Sequence, residues 1–281
     1  MTSLAADFQA VLAREPIDLA AAALVIARLE YPGLDPGPSL RVLDSIGRRA
    51  AAALDDASGE PVRSQIARLN ALLYDDEGFA GNRAHYGDFR NSLLNVVLDR
   101  RLGIPITLGL VYMEVAARAG LPVRGVSFPG HFLLSVAPGD APDLILDPFS
   151  AGEELDESGC RSLLSREMGD DVAFEARMLR PCSSRQLLLR MLNNLKRTYI
   201  ELLSFQQARR VTELLLAADP TLLSELRDRA LLSYQLDDYP AALRDLEAFL
   251  RLHTRSDAES REREQLWEHV KALRRRVASL N

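Results

Sequence analysis

The chain has 281 residues, a net charge of −6, 47% apolar residues and 26% charged ones, enough to bury a substantial core in one large domain or two ordinary ones. That balance excludes disordered, collagen-like and membrane classes, and no apolar run reaches the length that crosses a bilayer. The negative charge also argues against nucleic-acid binding as a main activity, which needs a basic footprint on the phosphate backbone.

The opening MTSLAADFQAVLAREP brings in Asp7 and Glu15 early and lacks a basic start before an unbroken apolar stretch. No secretory signal is expected, and the protein reads as cytoplasmic. Residues 3–76 read as helices: Leu40, Leu43, Ile46, Ala50 and Ala53 recur at helical spacing, as do Ile66, Leu69, Leu72 and Leu73, with YPGLDPGPS breaking the pattern. The Gly-, Asn- and Asp-rich segment 78–92 predicts an ordered loop. LLNVVLDRRL reads as a helix ended by Gly103, with Ser92 or Asn91 at its N-cap. Asn95 shares that turn and is a candidate for facing His131.

Pro105 opens the next predicted helix, ITLGLVYMEVAARAG, which Gly120 closes and which is apolar on nearly every face, hence central. Strands follow: VRGVSF, HFLLSVAP and LILDPF, with VAFEARMLR (172–180) as a further candidate. A buried helix before consecutive short strands predicts an α+β fold with an antiparallel sheet. The last third is helical and repeats. Offset by 34 residues, Asn194 falls on Asp228, Phe205 on Tyr239, Ala208 on Ala242 and Leu216 on Leu250, with Pro220 ending the first unit. That period belongs to tetratricopeptide helix pairs. Two units are fewer than the usual three, so the array is expected to lean on its neighbours and on a final helix containing Trp267. Basic residues of that helix, Lys271 and Arg274 to Arg276, alternate with Glu262, Glu264 and Glu268 and predict a solvated face.

The pair that stands out chemically is His131, after FPG, and Asp147, before PF. Neighbouring antiparallel strands would bring them together, and an Asp on one imidazole nitrogen leaves the other free for proton transfer. The alternative reading is a structural hydrogen bond supporting a turn. No metal or cofactor pattern is present: His85, His131, His253 and His269 are scattered without an HxxxH or HExxH pair, and Cys160 and Cys182 form no ligand spacing.

The segments GFAGN, NSLLNVVLDRRLGIPITLG, FPGHFLL and LDPF, followed by the tetratricopeptide-like tail, resemble the bacterial SirB-type transglutaminase-like proteins over most of the chain. The resemblance implies a papain-type core within residues 1–182, preceded by helices, and a helical repeat domain over 183–281. A transglutaminase-like enzyme places a nucleophilic cysteine at the start of the central helix, where the helix dipole and the His hold a thiolate, and the resemblance implies that SirB-type proteins share the loss of it. Here Pro105, Ile106 and Thr107 occupy that place, and both cysteines follow Asp147. His131 and Asp147 thus remain of a degenerate triad, with Thr107 beside the lost position. The expected function is non-catalytic: a regulator or scaffold binding another protein or peptide through Asn91, Asn95, His131, Asp147 and the repeats. The alternative is an amide hydrolase or acyl transferase using Thr107 or a water activated by His131.

Overall fold

The computed structural model describes residues 3–55, 59–139, 142–252, 270, 271 and 274. Its contacts separate into two compact units, Val11–Met191 and Leu192–Asn281 with Met1–Ala10. Helix α1 is Leu4–Leu12, and α2, Leu19–Ala27, is capped by the Asp18 carboxylate, which accepts from the Ala21 N–H at 2.8 Å. Helix α3 spans Gly37–Asp55, and α4, Val62–Asn70, runs on into a π-helical turn, Ala71–Asp76.

The first strand pair is short and parallel: β1, Ala80–Gly81, joins β2, Leu102–Gly103, across helix α5, Leu94–Arg100. Helix α6, Pro105–Arg118, is the centre of this unit, with Ile106, Leu110, Val111, Tyr112 and Val115 all buried. An antiparallel sheet follows in sequential order: β3, Val123–Val126; β4, Leu133–Val136; β5, Leu144–Asp147; and β6, Glu153–Leu155. Successive side chains leave opposite faces of a strand. Leu134 therefore points toward α6, while Leu133, with Val126 and Ile145, packs under helix α7, Glu157–Met168. The α+β class and the antiparallel sheet agree with expectation; β6 has no counterpart in the sequence reading.

Three local expectations need correction. Segment 172–180 is not a strand but holds a 3₁₀ turn, Ala176–Leu179. The edge of β3 meets Pro181 and Cys182 instead, through a single bridge to Val126 and one hydrogen bond to the Gly125 carbonyl, and proline has no N–H with which to extend a ladder. Val172, Phe174, Met178 and Leu179 are instead held by their side chains against the α7 layer. Gly103 does not end α5: Arg101 takes the left-handed φ of 61°, which frees Leu102–Gly103 to pair with β1. Asn91 and Ser92 do not cap α5 either; they belong to a 3₁₀ turn, Phe89–Ser92, and extended Leu93 precedes the helix.

The other unit carries the repeat. Helices α8 (Ser184–Glu201) and α10 (Leu223–Gln235) end 34 residues apart, and α9 (Phe205–Ala218) and α11 (Tyr239–Leu252) begin and end 34 residues apart. Equivalent Ala208 and Ala242 are both fully buried, as small residues at a helix crossing should be. Helix α8 runs from the first unit into this one. Trp267, the acidic residues of 262–268, His253 and His269 lie outside the described residues, though Val270 joins the cluster formed by Ala230, Tyr239, Ala242 and Leu246.

Candidate functional site

His131 is placed by a turn that its own sequence encodes. Its N–H donates to the Phe128 carbonyl at 3.2 Å, closing a four-residue turn with Pro129 second and Gly130, at φ 71°, third. That is the type II pattern, where proline presets the first central φ and the next position needs a positive one. Arg190 of α8 clamps the outside of this turn, donating to Ser127 Oγ at 2.8 Å, to the Phe128 carbonyl at 2.6 Å and to the His131 carbonyl.

Asp147 ends β5 because Pro148 follows it. Its carboxylate caps the next 3₁₀ turn, Pro148–Ser150, accepting from the Phe149 N–H at 2.9 Å, and the same oxygen lies 2.8 Å from His131 Nε2. Both side chains are buried. Burial alone would raise the Asp147 carboxyl, but the hydrogen bond and charge of His131, the Phe149 N–H and Ser150 outweigh it and hold the group below the usual carboxylate range. An ionised Asp147 makes Nε2 the protonated nitrogen and leaves the Nδ1 lone pair available. Phe149 stands edge-on to the imidazole, with ring centroids 6.1 Å apart, and carries the Arg83 guanidinium 4.7 Å from its own ring centre. Tyr74 donates to the Pro148 carbonyl at 3.1 Å and Asn70 to the Gly152 carbonyl at 3.0 Å, fixing the segment after Asp147.

The start of α6 holds no free nucleophile. Pro105 and Ile106 bring none, and Thr107 is fully buried. The Thr107 hydroxyl accepts from the Ile104 N–H at 3.1 Å and donates to the Asn91 carbonyl at 2.7 Å, the helix-capping role of a first-turn threonine. Asn91 is equally committed. Its Oδ1 accepts from Asn82 at 2.9 Å while its Nδ2 donates to the His85 and Tyr86 carbonyls, so it ties down the 78–92 loop. Asn95 is buried, and its Oδ1 has no partner.

Cys160 lies in the apolar layer between sheet and α7, and burial, with Asp156 and Glu157, pushes its thiol up to about 11. Burial also raises Cys182, whose N–H donates to the Gly125 carbonyl at 2.8 Å. Among the described residues no three His, Cys, Asp or Glu side chains are grouped to hold a metal, and no helix is long and apolar enough to cross a membrane. The sequence reading missed Arg190, Asn70 and Tyr74. Phe149 stood in the LDPF segment, but a lone arginine on the amphipathic α8 gives no signal of the turn it clamps.

A family model described as the transglutaminase-like superfamily matches residues 39–193, and a tetratricopeptide-repeat model matches residues 195–269. The chain is 38% identical over 243 residues to a UPF0162 protein of Xylella fastidiosa, covering 85% of each. It is 36% identical over 247 residues to a UPF0162 protein of Pseudomonas aeruginosa, covering 86% of this chain and 87% of that one. Against the UPF0162 protein YchA of Escherichia coli K12 the figures are 31% over 214 residues, with 76% and 79% covered.

Proposed function

Since this chain belongs to the transglutaminase-like superfamily, and within it to the UPF0162 proteins, we propose that it binds another protein or peptide in the cytoplasm and does not turn it over. The observation that carries this reading is the start of α6, where the one hydroxyl present, on Thr107, is buried and spends its proton on the Asn91 carbonyl. In acyl transfer the His protonates the leaving group and the Asp orients the His, and neither role helps without an attacking atom. A water activated by His131 would gain about 10²- to 10⁴-fold from general-base catalysis, short of the roughly 10⁶-fold or more usual for enzymes.

In this reading His131 is the group a peptide would meet, Asp147 and Asn91 hold the frame, buried Asn95 would take part only if its surroundings open, and the tetratricopeptide helices supply a second surface. Two free thiols support the cytoplasmic placement.

The test has two arms. The full-length protein and His131→Ala are incubated with glutamine-containing peptides and an amine donor, and products are followed by mass spectrometry. Neither should form product above background. Turnover by the wild type that His131→Ala abolishes, with circular dichroism unchanged, would overturn the proposal. In the second arm, a photo-crosslinking amino acid at exposed Tyr86 or exposed Tyr234 should trap discrete protein adducts in cells. Failure at both positions would remove the binding half of the reading.

A further inference from the structure

The unit Val11–Met191 holds a cavity of about 450 Å³ that shares no residue with the His131 site. That volume is within the roughly 300–1,000 Å³ typical of ligand sites. Its floor is apolar: Ile145 of β5 and its cross-strand partner Leu155 of β6, joined by Cys160 of α7 and by Phe174 and Leu179 of the segment beyond α7. Two cross-links give it a fixed shape. Arg161 of α7 donates to Glu157 at 2.6 and 3.0 Å and lies 4.7 Å from the centre of the Phe174 ring, which ties the helix to that segment. Arg63 of α4 forks onto Glu154 of β6 at 2.8 and 3.0 Å.

The rim is exposed and acidic. Asp143, Glu154, Asp156 and Glu157 line it, with Arg63 as its one cation. Three of these carboxylates already have an arginine: Glu154 has Arg63, Glu157 has Arg161, and Asp143 has Arg124 at 2.7 Å. Asp156 has no cationic partner among the described residues; its Oδ1 caps α7, accepting from the Gly159 N–H at 2.7 Å. An apolar floor is therefore bordered by one uncompensated negative charge. The Cys160 thiol reports the same field, since Asp156 and Glu157 add to the effect of burial in raising it.

We infer that this cavity docks a segment of a partner protein in which an apolar side chain fills the floor and a neighbouring lysine pairs with Asp156. One apolar anchor supplies the buried area, and one cation balances the charge beside it. Lysine is favoured over arginine by the oxygens left to bind it. Asp156 Oδ1 is committed to the helix cap, Asp143 Oδ2 to Arg124 and Glu157 Oε1 to Arg161. None of the three can offer a guanidinium fork two free oxygens, whereas an ammonium with three rotatable donors takes single ones. The inference rests on the reading that the chain binds protein, and gives it a surface apart from His131.

The test titrates the full-length protein, with NMR detection, against acetyl-Ala-Leu-Lys-Ala-amide. This peptide should bind saturably and shift the amides of Ile145, Leu155 and Cys160 while leaving those of residues 127–131 in place. Replacing its Leu by Ala, or its Lys by Gln, should weaken binding about tenfold, and Arg in place of Lys should bind less tightly than Lys. Asp156→Asn keeps the cap, because Asn caps as well as Asp does, so it should fold as the wild type and bind the peptide several-fold more weakly. Ala176→Trp, at an exposed position of the lining, should obstruct the floor and abolish binding. The inference is overturned if the Leu-Lys peptide does not bind, if the Gln peptide or Asp156→Asn binds as tightly, if the Arg peptide binds more tightly, or if the shifts fall on residues 127–131. That last result would support the reading of the His131 site. Absence of binding would leave that reading standing, since the crosslinking arm decides it separately.

Discussion

His131 and Asp147 make a pH prediction whose sign is fixed by direction alone. The Asp147 carboxyl is held below its usual range, so the stability it contributes is present above the unfolded-state value near pH 4 and is lost as pH falls through the lower folded value. Asp147→Asn should therefore be less stable than the wild type at pH 7, by an amount that shrinks below about pH 4. Denaturant unfolding across a pH series measures this, and an unchanged gap at low pH would show that the buried Asp147 does not carry its charge to His131. The cysteines give a second expectation at this scale. With both thiols raised by burial, the thiolate fraction at pH 8 is small. Iodoacetamide should leave Cys160 unmodified in the native protein and label it after denaturation, as peptide mass spectrometry would show.

At the scale of elements, the contact of α6 with the sheet turns on one aromatic ring between two glycines. A Cβ built on Gly109 of α6 would lie 2.7 Å from the Phe132 ring, and one on Gly125 of β3 would lie 2.6 Å from it. Replacing a mid-helix glycine by alanine ordinarily gains about 0.5–1 kcal/mol, but overpacking a buried ring costs about 1–3 kcal/mol. Gly109→Ala should thus lower the Tm despite its better helix propensity, and a rise would mean that Phe132 moves freely. The elements themselves were legible to different depths. Helix α6 could be read because Pro105 opens it and its apolar run is long, and β3 to β5 because β-branched residues sit between Pro and Gly. The three-residue β6, Glu153–Leu155, carries two glutamates and no β-branched residue, so nothing in its composition marks it. Segment 172–180 misled in the opposite sense: its apolar residues pack through their side chains without pairing, which composition cannot distinguish from a paired strand. In the site, the His131–Asp147 pairing followed from strand adjacency, whereas Arg190 meets the 127–131 turn from about 60 residues downstream and local pattern holds no trace of so distant a contact.

On the scale of the whole molecule, the sequence holds 32 Arg and only two Lys, and one of the lysines, Lys196, is buried. Lys196 of α8 donates to both Glu225 oxygens at 2.8 Å and to Asp228 at 2.7 Å, one compact ammonium between two carboxylates of α10. Burial, and to a lesser extent the Asp228 charge, raises the Glu225 carboxyl, while Lys196 pulls it back down. A raised folded value means that the contribution of Glu225 is favourable below the unfolded carboxylate value and is lost as pH rises, so at neutral pH the ionised group is tolerated through Lys196. Lys196→Met removes that compensation and leaves two neighbouring carboxylates, which should cost about 3–5 kcal/mol at pH 7. The cost should shrink as pH falls and Glu225, its carboxyl raised by burial, takes up a proton. Each unit has its own apolar cluster, one around Ala242 and Leu246 and the other around Val126 and Leu133, so the damage should stay on one side. Hydrogen exchange in Lys196→Met should quicken through α9, α10 and α11 and leave the amides of β3 to β5 protected as in the wild type. Exchange that quickened equally in the sheet would show that the protein opens as a single cooperative block, with the site around His131 dependent on the repeats for its stability.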